Sequence, residues 1–378
     1  MKIIITGGAG FIGFSLSNYL LENGHNVTIY DNFCEQIHGK NPDIESFRKT
    51  GIEIIEGDIT DKEKLWKALK DKEVVIHFAA QTGTGQSMYN VYHYNHTNVC
   101  GTANVCDYLY NKESRIEKII LASSRSIYGE GKYFCKNCGV VYPYSRDIES
   151  IKLGNFSPRC PVCKSMDSLN PLATDEDSFL RPSSVYAGTK LAQEILIDIT
   201  AKSLNLSSFC LRFQNVYGPG QSLINPYTGI LAIFLRLALQ NKDIEIFEDG
   251  EESRDFVYID DVVKAVSQSI FSSEKGNFIL NVGSGISTTV LEVANLIKDN
   301  VHSTSKIKIS KSFRLGDIRH NFADTTRIEK LLSFSPGWTF QNGLARFIES
   351  ALNSPQLSQV NNFENSMKEL INNGLYIK

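Results

Sequence analysis

The sequence predicts an α/β fold: a doubly wound parallel sheet, a smaller mixed α/β C-terminal lobe, and an inserted segment. Short β-branched runs alternate with helically spaced apolar residues as far as Gly220, which predicts the sheet. A glycine-rich turn follows the first run. Beyond Gly220 the alternation loosens, which predicts the lobe. Two Cys-x-x-Cys pairs interrupt the alternation, and they mark the insert.

The N-terminal stretch is typical of a βαβ unit. Residues 2–6 suit a buried strand, GGAGFIG follows, and residues 11–21 have apolar side chains at helical spacing. A second strand over 26–30 ends on Asp31. This order predicts a Rossmann-type dinucleotide-binding unit, and an ordinary strand-to-helix turn is the alternative.

Each glycine of this turn has an expected role. Gly7 makes the tight turn, Gly10 lets the backbone approach a pyrophosphate, and Gly13 lets helix and strand pack closely. The helix N-terminus would offer free N–H groups to that pyrophosphate. Asp31 can accept hydrogen bonds from both adenosine ribose hydroxyls and would repel a 2′-phosphate, which favours NAD over NADP.

Later elements extend the sheet, with strands predicted over 52–56, 74–78, 118–122 and 209–212 and helices over 62–70, 92–110 and from Ser184. Asp58 follows a strand directly, so it either accepts a hydrogen bond from adenine or caps the next helix. The small residues of Ala79-Ala80-Gln81 would let a cofactor lie across a strand end. Residues 82–87 are predicted to form a flexible polar loop, and His77, within an apolar run, is interpreted as structural.

In the C-terminal part, helices are predicted over 229–239, 260–271 and 289–300, and strands over 244–247, 255–257 and 277–282. The tail from Ser354 is interpreted as a peripheral helix or a partly disordered segment. The resulting division is a dinucleotide-binding domain (1–130 and 180–220), an insert (131–170), mainly a substrate lobe (221–350) and a tail (354–378).

Composition excludes some classes of function. The net charge of −3 and the pI near 6.2 indicate no basic surface for nucleic acid. No apolar run approaches the roughly 20 residues of a membrane span. The chain begins directly with a strand, so we expect no signal peptide and a cytoplasmic enzyme.

Tyr186 and Lys190 are four residues apart, which places them on one helix face. A tyrosine has a pKa near ~10, but a nearby ammonium and a positive nicotinamide ring would favour its phenolate. Tyr186 would then take a proton from a sugar hydroxyl, and Ser124 at a strand end would hold the reacting oxygen. Lys190 can also form a hydrogen bond with the nicotinamide ribose. A solvated surface pair and a turn-capping serine are the alternatives.

The two Cys-x-x-Cys pairs are separated by 21 residues, and their members are Cys135, Cys138, Cys160 and Cys163. This spacing is typical of a zinc ribbon with a closed, structural Cys₄ site. Free thiols and two disulfides are the alternatives. The segment interrupts the chain between Gly129 and Tyr186, so it is interpreted as an insert acting as a substrate lid or an oligomer contact.

Several motifs occur in one order: TGGAGFIG, HFAAQ, SSRSIYG, VYAGTK, LRFQNVYGPGQ, SRDFVYIDDVV and NVGSG. By these motifs the chain resembles, from Met1 to about residue 350, the extended short-chain dehydrogenase/reductase family in its nucleotide-sugar branch. The resemblance implies hydride transfer at C4 of a nucleotide-linked hexose, with Ser124, Tyr186 and Lys190 as catalytic residues. The expected NAD-binding residues are Gly7, Gly10, Phe11, Ile12, Gly13, Asp31, Asn32, Asp58, Ile59, Ala79, Ala80, Gln81, Tyr186 and Lys190.

The resemblance also implies a set of substrate-binding residues: Thr84, Ser124, Arg125, Asn215, Arg254, Arg314 and Asp317. Arg254 and Arg314 match arginines that clamp the diphosphate, Asn215 a second diphosphate contact, and Asp317 a contact to the nucleoside ribose. The alternative for Arg254 is a salt bridge to Asp255 or Asp260, and for Arg314 a solvated loop charge.

The residues after Ser124 distinguish among the kinds of enzyme in the nucleotide-sugar branch of the family. Related 4,6-dehydratases have Asp-Glu there and decarboxylases usually keep the glutamate, whereas this chain has Arg125-Ser126. Without that acid pair, oxidation at C4 followed by reduction is the simplest cycle, with NAD bound tightly and regenerated each turnover. This predicts a 4-epimerase.

The insert, TGTGQSMY and GPGQSLINPYTG are similar to the dTDP-L-rhamnose 4-epimerases. The resemblance implies a dTDP-linked 6-deoxyhexose substrate, dTDP-L-rhamnose or dTDP-6-deoxy-L-talose. The alternatives are a UDP- or GDP-hexose 4-epimerase, a 4-ketosugar reductase, or a redox-sensing NAD-binding protein. A homodimer is expected from the family, through the helix near 92–110 and the helix of Tyr186.

Overall fold

The computed structural model describes residues 1–39, 44–111, 113–225, 229–358 and 363–377. Residues 226–228 of the GPGQSLINPYTG motif lie outside the described residues. The same holds for residues 359–362 and 378 of the tail.

The strands, in chain order, are β1 (Lys2–Thr6), β2 (Asn26–Asp31), β3 (Glu53–Glu56), β4 (Val74–His77), β5 (Lys118–Ser124), β6 (Tyr133–Cys135), β7 (Gly139–Val141), β8 (Leu169–Pro171), β9 (Ser207–Phe213), β10 (Asn215–Tyr217), β11 (Ile244–Ile246), β12 (Ser253–Arg254), β13 (Phe256–Tyr258), β14 (Asn277–Val282), β15 (Thr288–Thr289), β16 (Ile307–Ile309), β17 (Phe313–Arg314), β18 (His320–Asn321) and β19 (Tyr376–Ile377).

The α-helices are α1 (Phe11–Glu22), α2 (Glu35–His38), α3 (Ile44–Arg48), α4 (Lys62–Leu69), α5 (Thr84–Ser87), α6 (Val91–Tyr94), α7 (Gly101–Leu109), α8 (Ile148–Lys152), α9 (Val185–Leu204), α10 (Ile230–Leu239), α11 (Ile259–Phe271), α12 (Val290–Asn300), α13 (Thr326–Leu332), α14 (Phe340–Leu352) and α15 (Phe363–Asn372). A π-helical turn spans Asn95–Cys100, and 3₁₀ turns span Arg125–Tyr128 and Pro355–Ser358. Within the described residues, none of these helices has the length and apolar character that a membrane span requires.

A seven-stranded sheet, in the order β14-β9-β5-β4-β1-β2-β3 with every pair parallel, forms the centre of the protein. Successive residues of β1 point to opposite faces: Ile3 and Ile5 join one core and Ile4 the other. Helices α1 and α11 cover the first face, and α4, α7 and α9 cover the second. The predicted doubly wound sheet is therefore confirmed.

The strand Asn277–Val282 lies in this sheet, paired in parallel with β9, and the sequence-based division had placed it in the C-terminal lobe. Helix α11 likewise packs against α1. The division failed here because local patterns identify a strand but not its neighbours. The rest of the C-terminal part has short paired strands: β10 with β13, β11 with β16, and β12 between β15 and β18.

Three local expectations need correction. Residues 82–87, predicted as a loop, contain the helical turn α5. The helix predicted over 92–110 is interrupted by the π-helical turn. Helix α4 is capped by Asp61, whose carboxylate accepts a hydrogen bond from the Lys64 N–H, so the alternative of Asp58 as its N-cap is wrong.

The described part of the tail is an ordered peripheral element. Helix α15 buries Leu370, and a carbon placed as Cβ on Gly85 would lie 3.1 Å from that leucine. The last strand, β19, pairs antiparallel with β17. The tail thereby contacts both the 82–87 segment and the strand that carries Arg314.

Candidate active site

A cleft of about 390 Å³ opens at the carboxyl ends of the parallel strands, where ligands bind in such sheets. Its lining joins residues predicted for a dinucleotide with those predicted for catalysis: Gly7, Gly10, Phe11, Ile12, Gly13, Asp31, Asn32, Ile59, Ala79, Ala80, Gln81, Ser124, Tyr186 and Lys190. The tertiary structure thus brings one edge of β1 and β2 together with β5 and α9.

The glycine turn leaves no room for side chains at positions that include Gly7 and Gly13. Gly7 has a φ of +69°, and a Cβ there would lie 2.7 Å from the Ala79 nitrogen. A Cβ on Gly13 would lie 2.5 Å from the Gly7 oxygen. At Gly10, whose Cβ would approach only that oxygen at 3.3 Å, the backbone faces the cleft. Helix α1 begins there without a side-chain cap, so its N–H groups are available to an anion.

Asp31 is buried at the end of β2. Its carboxylate accepts hydrogen bonds from the Ala9 N–H at 3.0 Å and the Phe33 N–H at 2.9 Å, and His38 lies 3.8 Å away. Burial raises the pKa of Asp31, and the backbone hydrogen bonds and His38 oppose that shift. The carboxylate is therefore fixed in orientation at the edge of the cleft, and its ribose contact stays a prediction.

Asp58 is not among the residues that line the cleft, although Gly57 and Ile59 on either side of it are. It accepts hydrogen bonds from the Thr60 N–H and hydroxyl at 2.9 and 2.6 Å, and from the Asn32 amide at 2.8 Å. These bonds oppose the effect of burial, and the pKa of Asp58 is lowered. With the N-cap alternative removed, the adenine contact remains the prediction for this residue.

Sequence reasoning missed Asn98, which is fully buried in the π-helical turn. Its side chain accepts a hydrogen bond from the Gln81 N–H at 2.7 Å and donates to the Gln81 carbonyl at 3.1 Å and to Thr189 at 2.9 Å. It therefore fixes the 79–81 segment to α9. His38, Gln221 and Asn225 also line the cleft and were missed. His38 comes from a segment without a local motif, and the motif GPGQSLINPYTG, which contains Gln221 and Asn225, indicated a family and not a cofactor contact.

His77 lies in the core, as interpreted. Its ring nitrogens lie 2.8 Å from the Thr6 and Thr102 hydroxyls, and burial lowers its pKa to about 3. A neutral, fully hydrogen-bonded imidazole has a structural role.

Ser124, Tyr186 and Lys190 meet at the inner end of the cleft. Ser124 ends β5, and Tyr186 and Lys190 lie one turn apart near the start of α9, which Ser184 caps. The Lys190 Nζ donates to the Ala122 carbonyl at 2.9 Å. The Ser124 hydroxyl lies near the Tyr186 side chain.

Burial controls the charges of this group. It raises the pKa of Tyr186, against the opposing effects of the nearby Ser124 hydroxyl and the Arg125 charge. It lowers the pKa of Lys190 to about 7. The expectation that Lys190 lowers the pKa of Tyr186 is therefore not met by the protein alone, because both charged forms are desolvated.

A buried ion pair lies behind Lys190 and was not foreseen. Glu194, one turn further along α9, accepts hydrogen bonds from Arg212 at 3.0 and 2.9 Å and from the Ser123 hydroxyl. The Glu194 carboxylate opposes the burial effect on the Lys190 pKa. Its spacing, four residues after the lysine, was a usable signal.

Arginine side chains surround the predicted substrate region. Arg125 donates from Nε to the Asn215 side chain at 3.0 Å, and burial with the nearby Arg254 charge lowers its pKa to about 9. Arg254 donates to the carbonyls of Ser253, Ile318 and Arg319 at 2.8, 2.7 and 3.0 Å.

The salt-bridge alternative for Arg254 is wrong among the residues that the structure describes. Its guanidinium bonds only main-chain carbonyls, while Asp255 accepts hydrogen bonds from the N–H groups of Ser284, Gly285 and Ala323. The positive charge of Arg254 is thus available to an anion.

Arg314 is paired, not merely solvated. Its Nε and Nη2 lie 3.0 and 2.9 Å from one oxygen of Asp317. Burial raises the pKa of Asp317, but the charges of Arg314 and of nearby arginines outweigh it, so the pKa is lowered. Thr84, in α5, faces the same turn: a Cβ on Gly316 would lie 4.0 Å from its methyl group.

The four insert cysteines converge. Their sulfur atoms all lie within 4.8 Å of one another, and the Cys135 and Cys163 sulfurs are 3.6 Å apart. Strands β6, β7 and β8 form a three-stranded antiparallel sheet beside them. All eight cysteines are free thiols, which excludes the two-disulfide alternative in this structure.

The chain is similar in sequence to a known family and to a curated protein. The profile of the NAD dependent epimerase/dehydratase family matches residues 3–149 and 163–283, and the interruption falls within the cysteine insert. The dTDP-L-rhamnose 4-epimerase of Burkholderia thailandensis is 35% identical over 348 residues, which cover 91% of this chain and 93% of that protein.

Two solved structures are similar over nearly their full length. MoeE5 in complex with UDP-glucuronic acid and NAD has a TM-score of 0.74 and 28% identity, covering 93% of this chain and 99% of that one. The UDP-glucuronic acid 4-epimerase of Bacillus cereus, in complex with UDP-glucuronic acid and NAD, has a TM-score of 0.74 and 26% identity, covering 93% and 98%.

Proposed function

The chain belongs to the NAD dependent epimerase/dehydratase family, and from that membership we propose that it is an NAD-dependent nucleotide-sugar 4-epimerase. The observation that carries the proposal is the meeting of Ser124, Tyr186 and Lys190 in one cleft, with the charge of Arg125 close to Tyr186. Arg125 and Ser126 occupy the positions where dehydration would need an acid pair.

The cleft fits a dinucleotide. The uncapped start of α1, the crowded glycines and the fixed Asp31 carboxylate suit a pyrophosphate and a 2′-hydroxyl ribose. Bound there, NAD would accept a hydride from C4 of the sugar and return it.

The chain's own residues would handle the proton and the substrate. Tyr186, as the phenolate that a positive nicotinamide ring would favour, takes the C4 hydroxyl proton during oxidation and returns it during reduction, and Ser124 holds the C4 oxygen by a hydrogen bond. Lys190, fixed on Ala122, orients the nicotinamide ribose. Arg125, Asn215 and Arg254 bind the diphosphate, and they retain the 4-keto sugar while it turns within the cleft.

The proposed substrate pair is dTDP-L-rhamnose and dTDP-6-deoxy-L-talose. The support is the 35% identity to a dTDP-L-rhamnose 4-epimerase over most of both chains. UDP-hexoses are the second candidate, because the two solved relatives described above hold a UDP-sugar.

The test is to incubate the purified protein with dTDP-L-rhamnose, without added cofactor, and to follow the sugar by NMR. We expect a 4-epimer at equilibrium. If dTDP-L-rhamnose is unchanged but a UDP- or GDP-hexose is epimerised, that hexose replaces dTDP-L-rhamnose as the proposed substrate. Turnover only of a 4-keto sugar with NADH would replace the epimerase proposal by a reductase.

We further propose that the insert holds one structural zinc ion on Cys135, Cys138, Cys160 and Cys163. Four convergent thiols beside a small antiparallel sheet suit a closed tetrahedral site. Eight unpaired cysteines also fit a reducing compartment such as the cytoplasm.

A homodimer is proposed on the face formed by α6, α7 and α9. Apolar side chains are exposed on it: Tyr92 at 78%, Ile199 at 60%, Tyr110 at 56% and Ile195 at 50%. Burying such side chains against a second copy would stabilise the pair.

A further inference from the structure

Arg146, in the cysteine insert, is a buried arginine far from any sequence motif. Its side chain is 3% exposed and pairs with Glu248 through two hydrogen bonds of 2.8 Å. Its Nε lies 3.2 Å from the carboxylate of Glu130. A buried charge with two acidic partners holds one geometry, because breaking either pair leaves a desolvated charge.

The same guanidinium donates to two main-chain carbonyls. One is Phe156 at 3.0 Å, within the insert, and the other is Asp317 at 2.8 Å, in the turn after Arg314. The insert is therefore bonded directly to the segment that carries the predicted ribose contact.

Asp317 begins a run of three carbonyls that are each held by an arginine. Arg146 bonds the carbonyl of Asp317, and Arg254 bonds those of Ile318 and Arg319. Glu130 also accepts a hydrogen bond from the Arg319 N–H at 2.8 Å. The position of this turn thus depends on the insert on one side and on Arg254 on the other.

We propose that Arg146 is a positioning residue for the nucleotide-sugar diphosphate site. By fixing the Asp317–Arg319 turn, Arg146 sets the positions of the Arg254 side chain and of the Arg314–Asp317 pair. The insert then serves as a brace for substrate binding and not as a moving lid. This inference rests on the proposed nucleotide-sugar function, since it assigns the turn to substrate.

The proposed role of Arg146 concerns the nucleotide-sugar site and not the cofactor site. None of the residues described for the insert lines the dinucleotide cleft. A change at Arg146 should therefore weaken the nucleotide sugar and leave bound NAD in place.

The test compares Arg146→Lys with Arg159→Lys in the full-length protein. Lysine keeps the charge between Glu130 and Glu248, but its three N–H groups cannot make the four hydrogen bonds that the guanidinium donates to Glu248, Phe156 and Asp317. Arg159 is a matched control in the same insert: it is exposed and donates to the Ser150 hydroxyl at 2.7 Å. Binding of dTDP and of UDP is measured by calorimetry, with KM, kcat and NAD content.

For Arg146→Lys we expect the Kd of the nucleoside diphosphate and the KM of the sugar to rise about tenfold, with kcat changed less than about twofold. NAD content and the Arg159→Lys protein should match the unaltered protein. A Kd within about twofold of the unaltered value, or an equal loss of NAD and kcat, would overturn the inference.

If Arg146→Lys fails to fold, Glu248→Gln, which weakens the same pair from the other side, is judged by the same criteria. Failure of the unaltered protein to bind either nucleotide would instead overturn the proposed substrate class, and the inference with it. The two failures are distinguishable. Failure of the inference is seen by comparing the variants with the unaltered protein, whereas failure of the substrate class is seen in the unaltered protein itself.

Discussion

Lys190 follows Tyr186 by one turn of α9, and its Nζ lies 6.0 Å from the centre of the Tyr186 ring while bonding the Ala122 carbonyl at 2.9 Å. Ala122 lies on β5, two residues before Ser124. This single hydrogen bond therefore ties the helix that carries two of the proposed catalytic residues to the strand that carries the third.

Tyr186→Phe should remove turnover, by about 10²–10⁴-fold, because it deletes the proposed proton carrier and little else. Bound NAD and the melting temperature should stay unchanged. Tyr19→Phe, at an exposed tyrosine of α1, is the control. The measurements are sugar epimerisation by NMR and NAD content by absorbance, and normal turnover in Tyr186→Phe would contradict the mechanism.

Arg125→Met should weaken nucleotide-sugar binding about tenfold or more and leave NAD bound. The reason is that its guanidinium bonds Asn215 and lies near Arg254, so it contributes charge to the proposed diphosphate site. Titration calorimetry with dTDP measures the effect. Arg115→Met, at a side chain 71% exposed and paired with Asp71, is the matched control, and equal affinity in both variants would exclude Arg125 from the site.

Glu252→Gln should stabilise the protein at pH 8 and have little effect at pH 4.5. Burial raises the pKa of Glu252 from 4.5 to about 7 in the folded protein. The folded state therefore holds a proton that the unfolded chain loses, and stability falls as pH rises from 4.5 through 7. Glutamine stays neutral and avoids a loss of roughly 3 kcal/mol. Thermal unfolding across this range checks the sign, and a pH-independent difference would contradict the assignment.

The purified protein should contain about one zinc ion per chain by elemental analysis. Cys163→Ser should lose the metal and lower the melting temperature, because metal binding stabilises the folded insert. Cys100→Ser, at an exposed thiol outside the cluster, should keep both. Metal-free, stable wild-type protein would remove the zinc proposal.

Ile195→Glu combined with Ile199→Glu should convert a dimer into monomers, because two carboxylates would be desolvated at the proposed interface. Light scattering after size exclusion measures the mass. Ile309→Glu, at an exposed isoleucine on β16, should leave the mass unchanged. A monomeric unaltered protein would rule out the dimer.

Local pattern was sufficient for most elements of the sheet. The run Lys2–Thr6, the glycine turn and Asp31 were found because strand, turn and helix signals lie within one stretch of chain. The same kind of signal placed Asn277–Val282 in a strand but in the wrong unit, since pairing with β9 joins segments about 70 residues apart.

The residues of the candidate site likewise fall into those that the sequence predicts and those that only the fold brings together. The Tyr186–Lys190 spacing, the four cysteines and the acid-free Arg125-Ser126 pair are properties of the sequence, because helix periodicity and ligand spacing are local. Asn98 on Gln81 and Arg146 on Asp317 are contacts across the fold that no local pattern contains.

The sequence by itself thus determined the class of fold, the family and the residues that could carry the chemistry. Only the tertiary structure decided which charges are desolvated: it raised the pKa of Tyr186, lowered that of Lys190, and bonded the insert to the Asp317 turn. The physical reason is that burial and long-range hydrogen bonds depend on which segments pack together, and a one-dimensional pattern does not specify that packing.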